Sequence, residues 1–339
     1  MQDSKTPLLT SPQTSWKQCL EIFGAYHYVI TFLFMGPFFT LLGIFLLFTP
    51  LWSLSVLYGI WMIIDWDTPH QGCRSSQWIR SLFFWDYGRD YYPIKLVKTA
   101  ELPPDRNYVL GAHPHGIMCM GPTGSFLTGK GSYKVFPGLS LKLGTLTFLF
   151  NLPVYRDYLM TLGLCPVSHQ SLDFLLSSRP LGQAVIIMVG GAQEALHTTP
   201  GTHRVILRNR KGFVRLALRH GASLVPVYSF GENDVFRVKR FEEGTWQYVV
   251  QLAFKKISGF SPCIFWGRSL FSPNSWGLLP LRVPVTTVVG RPIPVPQVLQ
   301  PSEDQVNHYH QLYMRELQQL FEDHKASCGV PASVQLTFS

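Results

Sequence analysis

From Ile22 to Ile64 the chain carries no Asp, Glu, Lys or Arg. A secretory signal has a much shorter apolar core and a small-residue cleavage site, so this stretch is not one. A spanning helix needs about 20 apolar residues, and residues 28–48 supply such a run. Thr49-Pro50 interrupts it, because proline cannot continue a helix. Residues 51–64 then form a second apolar run, short for a complete span at about 1.5 Å per residue. The pattern predicts two closely coupled helices or a hairpin embedded from one face. Lys17 precedes the block, Arg74, Arg80 and Arg89 follow it, and the turn between carries no charge. Basic flanks on both sides put both ends in the cytosol, with Trp52, Tyr58, Trp61 and Trp66 at headgroup level. The organisation expected is a polar segment at 1–20, a membrane hairpin at 21–66 and one large domain at 67–339.

Beyond residue 106 the periodicity changes. Residues 107–112 (NYVLGA), 184–189 (AVIIMV), 223–229 (SLVPVYS) and 285–289 (VTTVV) read as buried strands. A helix from Arg210 to His220, stopped by Gly221 in the left-handed position, lies between the second and third. Strands alternating with helices predict an α/β domain. Ser302 and Gln305 form a capping box opening a last helix. Its stripe of Val306, Tyr309, Tyr313, Leu317 and Leu320 reads as core packing. Residues 141–152 and 258–271 are apolar enough to rest on a bilayer as well as in a core.

Three segments carry chemistry. Gly111-Ala112-His113-Pro114-His115-Gly116 ends the first strand, where ligands gather in α/β sheets. The histidines have three readings: a structural pair capping a strand end, two ligands of a metal-dependent lipid or thioester hydrolase, or a general base acting on an alcohol. The metal reading needs further ligands, and His169, His197, His203 and His220 have no carboxylate beside them in ligand spacing. Gly190-Gly191-Ala192-Gln193-Glu194 follows the next strand and presents one carboxylate. Such a group either orients a histidine, as a triad's acid does, or only caps the next segment. In the third segment, Arg208, Lys211, Arg215 and Arg219 would align as one basic stripe if helical. Arg210 and Lys211, beside Gly212, are the candidates for holding a phosphorylated ligand. Cys119 and Cys165 read as small buried hydrophobes.

Composition narrows the class. Charged residues are 14% and hydrophobic residues 46%, against about 25% charged in ordinary soluble domains, which argues for a membrane context and against disorder. The net charge of +9 suits anionic headgroups or phosphorylated ligands. Nucleic acid ranks last, since no base-stacking motif occurs. The six cysteines form no C-x-x-C pair and no Asn-x-Ser/Thr acceptor exists, in keeping with a reducing, cytosol-facing catalytic part.

The HPHG box at 113–116, GGAQE at 190–194, RKGFVRLALRHGASLVPVYSFGE at 210–232 and the Tyr91-Tyr92-Pro93 box together resemble the type-two diacylglycerol acyltransferase family. Within it the monoacylglycerol acyltransferases, their third type in particular, are the most alike; wax-ester synthases are the alternative branch. The resemblance implies a mixed-sheet, glycerolipid-acyltransferase-like α/β core with an N-terminal transmembrane or membrane-embedded helical hairpin. It also implies an endoplasmic-reticulum enzyme, its catalytic domain facing the cytosol, that moves an acyl group from acyl-CoA to monoacylglycerol and also to diacylglycerol. Membrane lipids are its surroundings, acyl-CoA is a co-substrate and no cofactor or metal is expected. Assembly with further copies of the chain is left open. The His-x4-Asp motif of glycerolipid acyltransferases is missing, which makes Glu194 the acidic partner. On this reading His115 is the general base, Glu194 orients its ring, and His113 positions the turn or the thioester. Backbone N–H groups after Gly116 stabilise the oxyanion, while Arg210, Lys211 and Gly212 hold the phosphates. A non-catalytic scaffold is the competing class, for which the apolar hairpin alone suffices.

Overall fold

A computed structural model describes residues 15–129, 132–242, 244–258, 262–272 and 275–339. Most of the expected polar segment at 1–20, residues 1–14, lies outside the described residues. Helix α1 (Ser15–Ile30) runs through a π-helical turn, Thr31–Met35, into α2 (Gly36–Leu46). After a turn at the Thr49-Pro50 break, α3 (Trp52–Ile64) returns. Among the described residues Trp16–Leu46 is the one helix long and apolar enough to cross a membrane.

The expected hairpin boundary at residue 21 is corrected by packing. Ala25 and Val29 are buried, and buried Glu21 pairs with Arg282 at 2.6 Å. The first half of this helix therefore belongs to the globular body. It lies against α4 (Phe83–Tyr91) through two glycines: a Cβ on Gly24 would stand 2.4 Å from the Phe84 carbonyl oxygen and 2.6 Å from the Gly88 nitrogen. The exposed apolar arm begins near Phe34, and its tip, Phe48, is 84% exposed. A knot of polar groups fixes the foot of α3. The guanidinium of Arg156 in α5 (Tyr155–Leu162), buried, donates to the carbonyls of Met62 and Asp65, Arg74 bridges Asp65 and Asp157, and Tyr58 donates to Asp157 at 2.6 Å.

The body is built on a seven-stranded sheet: β1 (Lys95–Lys98), β2 (Tyr108–His113), β3 (Ser140–Thr145), β4 (Leu164–Pro166), β5 (Gln183–Met188), β6 (Ser223–Phe230) and β7 (Thr286–Val289), in the order β1-β7-β6-β2-β5-β3-β4. All neighbours are parallel except β6 and β7. β2 and β6 are buried along their whole length, which explains their largely apolar, non-alternating sequence: a parallel sheet is covered on both faces. Val109, Val185 and Leu224 face a core shared with α6 (His169–Ser177), α8 (Gly212–His220) and α9 (Glu303–Lys325). Leu110, Ile186 and Val225 face Phe126, Leu127 and Phe136 on the other side. The capping box at Ser302 and Gln305 is formed, and Val306, Tyr313, Leu317 and Leu320 are buried. Residues 141–145 lie in β3 inside the sheet, not on a bilayer, with buried Lys142 donating to Ser75.

Register brings three strand ends together. Ala112 of β2 stands opposite Met188 of β5, and His113 stands opposite Tyr228 of β6. Whatever follows His113, Met188 and Phe230 therefore meets at one sheet edge.

Replacing Gly24 with valine should separate α1 from α4, since backbone atoms cannot yield to a Cβ and overpacking costs about 1–3 kcal/mol or more. Gly43, with nothing within 4 Å of a built Cβ, is the control: Gly43→Ala should leave thermal stability in detergent unchanged while Gly24→Val lowers it.

Candidate active site

The loop leaving β2 is held at both ends by buried carboxylates from the two strands that flank β2. Beyond β5, in the short helix α7 (Gly191–Leu196), Glu194 takes the His115 backbone N–H on Oε1 and the Ile206 N–H on Oε2, both at 2.6 Å. Beyond β6, Glu232 takes the N–H groups of Met120 at 2.8 Å and Gly121 at 2.6 Å. The expectation that Glu194 orients the imidazole of His115 is thus corrected: its carboxylate grips backbone, because both oxygens are spent on amides. Glu232, inside the conspicuous 210–232 segment, was not singled out from the sequence. Its signal was a glycine followed by a carboxylate just past a strand, as at 190–194.

Burial raises both carboxyls to about 7, against the pull of the amides they accept from and, for Glu194, of Arg210. Gly116, at φ +59, is explained by the same arrangement. A Cβ there would stand 2.6 Å from the Cγ and Oε1 of Glu232, so the glycine admits a carboxylate of the protein.

The two histidine rings go to different places. His113 is fully buried. Tyr313 donates to the Gly111 carbonyl at 2.8 Å, and its oxygen lies 3.1 Å from His113 Nε2. A hydroxyl has one proton, so His113 must be the donor to it. Burial pushes its pKa down to about 3. His113 is a neutral pin between β2 and α9, away from the cavity. His115 instead lines the cavity. Its Nδ1 is 2.9 Å from the Gly116 carbonyl, which can only accept, so Nδ1 carries the proton and Nε2 keeps its lone pair. Burial lowers the pKa of His115, offset in part by that carbonyl. The ring is neutral near pH 7 and fit to take a proton. Cys119, at φ +54, sits 3.8 Å from both ring nitrogens, and burial pushes its thiol well above the usual range. Among the described residues no three His, Cys, Asp or Glu side chains converge as metal ligands.

The cavity measures about 380 Å³, within the roughly 300–1,000 Å³ of small-molecule sites. His115, Met118 and Cys119 form its polar end. Leu143, Leu146, Leu164 and Met188, from or beside three strand ends, form its floor, and Tyr28, Thr31, Phe32 and Leu33 of the hairpin helix form a wall. Tyr28 was missed from the sequence, a hydroxyl hidden in an apolar run. It donates to the Met118 carbonyl at 2.7 Å, tying the hairpin helix to the loop that carries His115.

The basic segment is rearranged relative to expectation. The helix begins at Gly212, so Arg208 is not on it, and Gly221 stops it at φ +62. Arg215 pairs with Glu303, Arg219 with Asp173, and Lys211 donates to Asn307 at 2.7 Å. Arg210, exposed, donates to Gln193 at 3.0 Å, beside the cavity-lining Ala192. The stripe is largely spent on partners within the protein, and Gly212 has open space where a Cβ would go.

A neutral imidazole at one end of an apolar cavity, walled by a membrane-type helix, is the arrangement of an enzyme that acts on lipid hydroxyls or esters. A family profile described as diacylglycerol acyltransferase matches residues 44–339, and the chain belongs to that family. It is 68% identical to 2-acylglycerol O-acyltransferase 3 of Homo sapiens over 97% of this chain and 97% of that protein. It is 49% identical to diacylglycerol O-acyltransferase 2 of Danio rerio over 93% of this chain and 87% of that one. Among solved structures, the 1-acyl-sn-glycerophosphate (LPA) acyltransferase PlsC of Thermotoga maritima aligns over 92% of this chain and 97% of its own at TM-score 0.41 and 12% identity.

The carboxylate clamp makes a pH prediction. The folded state keeps each proton up to about pH 7, whereas an unfolded carboxyl sheds it near its ordinary value. The folded state thus binds more protons in between, and stability falls as pH climbs through that window. The grip on the amides moves the other way, since only the ionised group offers both oxygens fully as acceptors. Activity should therefore rise from about pH 6 to about pH 8. Glu194→Gln and Glu232→Gln, each with one acceptor oxygen, should slow turnover and flatten that rise. Full-speed variants with the wild-type profile would remove the clamp from the account.

Proposed function

We propose that the chain transfers a fatty acyl group from acyl-CoA to the free hydroxyl of a 2-acylglycerol, giving diacylglycerol, with diacylglycerol as a further acceptor. The observation that carries this reading is His115: a neutral ring in an apolar cavity, its Nδ1 proton committed to a backbone carbonyl and its Nε2 left to act as base. The names of the relatives support the acceptor class. Nε2 removes the proton of the acylglycerol hydroxyl as its oxygen attacks the thioester carbonyl. The tetrahedral intermediate collapses, the C–S bond breaks, and the coenzyme A sulfur takes the proton from the imidazolium. One ester and one thiol form from one alcohol and one thioester. Glu194 and Glu232 hold the loop in place, His113 pins the strand behind it, and the apolar walls keep water from competing as acceptor. Arg210, bonded to Gln193 next to the cavity-lining Ala192, meets a phosphate of the donor in this reading.

The arm supports membrane attachment from one side. α3 has 13 residues, roughly 20 Å of helix, against about 30 Å of bilayer core. Both feet of the hairpin are fastened to the same body, by Glu21–Arg282 and by Arg74, Asp65 and Arg156. The catalytic domain then lies on one face of the membrane. The six free cysteines suit the cytosolic face of the endoplasmic reticulum.

Membranes carrying the protein, given labelled oleoyl-CoA with 2-monoacylglycerol, diacylglycerol or fatty alcohol in turn, should form diacylglycerol fastest. His115→Ala should lower that rate by at least about 10²-fold while the protein stays membrane-bound. Near-normal turnover in this variant would refute the base assignment, and preferential wax-ester formation would reassign the acceptor.

A further inference from the structure

Acyl-CoA presents two opposite demands. Its chain needs an apolar cavity, while its diphosphate and phosphomonoester bring several negative charges. Two exposed guanidiniums, Arg208 and Arg210, are few for these, and the other cations of the 208–219 segment at Lys211, Arg215 and Arg219 are engaged elsewhere.

A second group of cations stands behind one wall of the cavity. The strand Ile264–Arg268 and the residues just before it form that wall: Pro262, Cys263 and Phe265 line the apolar side. Cys263 also lines a small pocket on the other side, whose walls include His197, Lys239, Arg240 and Tyr248. The pairing is direct. Lys239 stands opposite Ile264, and Val238 opposite Phe265. Arg240 donates to His197 Nδ1 at 3.3 Å and lies 3.5 Å from the Thr199 hydroxyl. A guanidinium only donates, so that ring nitrogen is the acceptor of this bond. Lys239 lies over the Phe241 ring. Among the described residues neither cation has a carboxylate within ion-pair distance. Two cations with no carboxylate partner among the described residues thus line a pocket that is one strand away from the acyl cavity.

We propose that Lys239 and Arg240, with His197, form a phosphate subsite for the nucleotide end of the acyl donor, so that the 262–265 segment separates its apolar chain from its charged head. The inference rests on acyl-CoA being the donor. A guanidinium and an ammonium suit a phosphate monoester or diester. A phospholipid headgroup offers the same chemistry, so the test must separate the two sources.

Arg240→Gln and Lys239→Gln are assayed in membranes with 2-monoacylglycerol, using oleoyl-CoA and, in parallel, oleoyl-pantetheine, which has the same thioester and no phosphate. The expected result is a rise of about tenfold or more in KM for oleoyl-CoA, the scale of a lost charge-assisted bond. kcat should be unchanged, and oleoyl-pantetheine turnover should match wild type, which also shows that the variants are folded. Arg240→Lys should recover part of the loss. Equal changes with both donors, or none with either, would overturn the subsite. Binding of purified protein to phosphatidylcholine vesicles with and without phosphatidylserine supplies the other arm. Loss of phosphatidylserine-dependent binding with an unchanged KM would assign the cations to lipid headgroups and reject the proposal. Wild-type protein that uses oleoyl-pantetheine but not oleoyl-CoA would instead reject the donor assignment.

Discussion

The site depends on how two negative charges are kept inside the protein. A buried carboxylate is costly unless hydrogen bonds hold it. Glu194 and Glu232 meet that demand with four backbone N–H groups, three of which belong to the loop carrying His115. The same bonds satisfy the amide of His115 and the first amides of the helical turn that opens at Met120, which have no intrahelical partner. The parallel sheet makes this possible. β5 and β6 lie on either side of β2 and run in its direction, so their following residues arrive at the two flanks of the loop. Remove the parallel register and neither carboxylate reaches an amide.

The hairpin is joined to this loop through α1. α1 is locked on α4 by the contact of Gly24 with Gly88, and from that rigid base Tyr28 reaches the Met118 carbonyl. The π-helical turn follows, and its Thr31, Phe32 and Leu33 complete the cavity wall. A helix that continues into an exposed apolar arm therefore also bounds the apolar cavity that His115 lines. Lipid substrates need not cross water to reach such a space, since its wall and the arm are one continuous element.

Much of this was legible in the residues. The uncharged run and its Thr49-Pro50 break announced the hairpin, four apolar runs announced central strands, and the capping box announced the last helix. The HPHG and GGAQE segments read correctly as neighbouring strand-end features. Partners were harder to see. A carboxylate near a histidine in sequence logic is assigned to its ring, yet Glu194 bonds the backbone of the same residue, a choice that only three-dimensional register decides. Arg215 and Arg219 look like a free basic face locally, but their acids, Glu303 and Asp173, come from other helices. Tyr28 and residues 141–145 were hidden for the opposite reason, because an apolar run suits a bilayer, a sheet interior and a cavity wall equally well.

Turning the carboxylate away from the imidazole has a consequence for the chemistry. An acid hydrogen-bonded to the ring would strengthen it as a base and also bring a full charge to the edge of the cavity. Here a neutral carbonyl, that of Gly116, selects the tautomer instead, and both carboxylates spend their charge on amides behind the loop. Among the described residues the walls that remain carry no charged side chain: they are mostly apolar, with a neutral ring, a thiol at Cys119 held protonated by burial and the side chains of Tyr28, Thr31, Thr123, Thr145, Tyr155 and Tyr158. Uncharged acylglycerols lose little by entering such a space, whereas water and ions find few partners in it. The ring forgoes the stabilising partner that a triad supplies to an imidazolium. Its protonated form is therefore disfavoured by the same burial that lowers its pKa, and in the proposed transfer the proton would return promptly to the departing sulfur. A base of this kind suits an acyl transfer in which the charge separates only briefly.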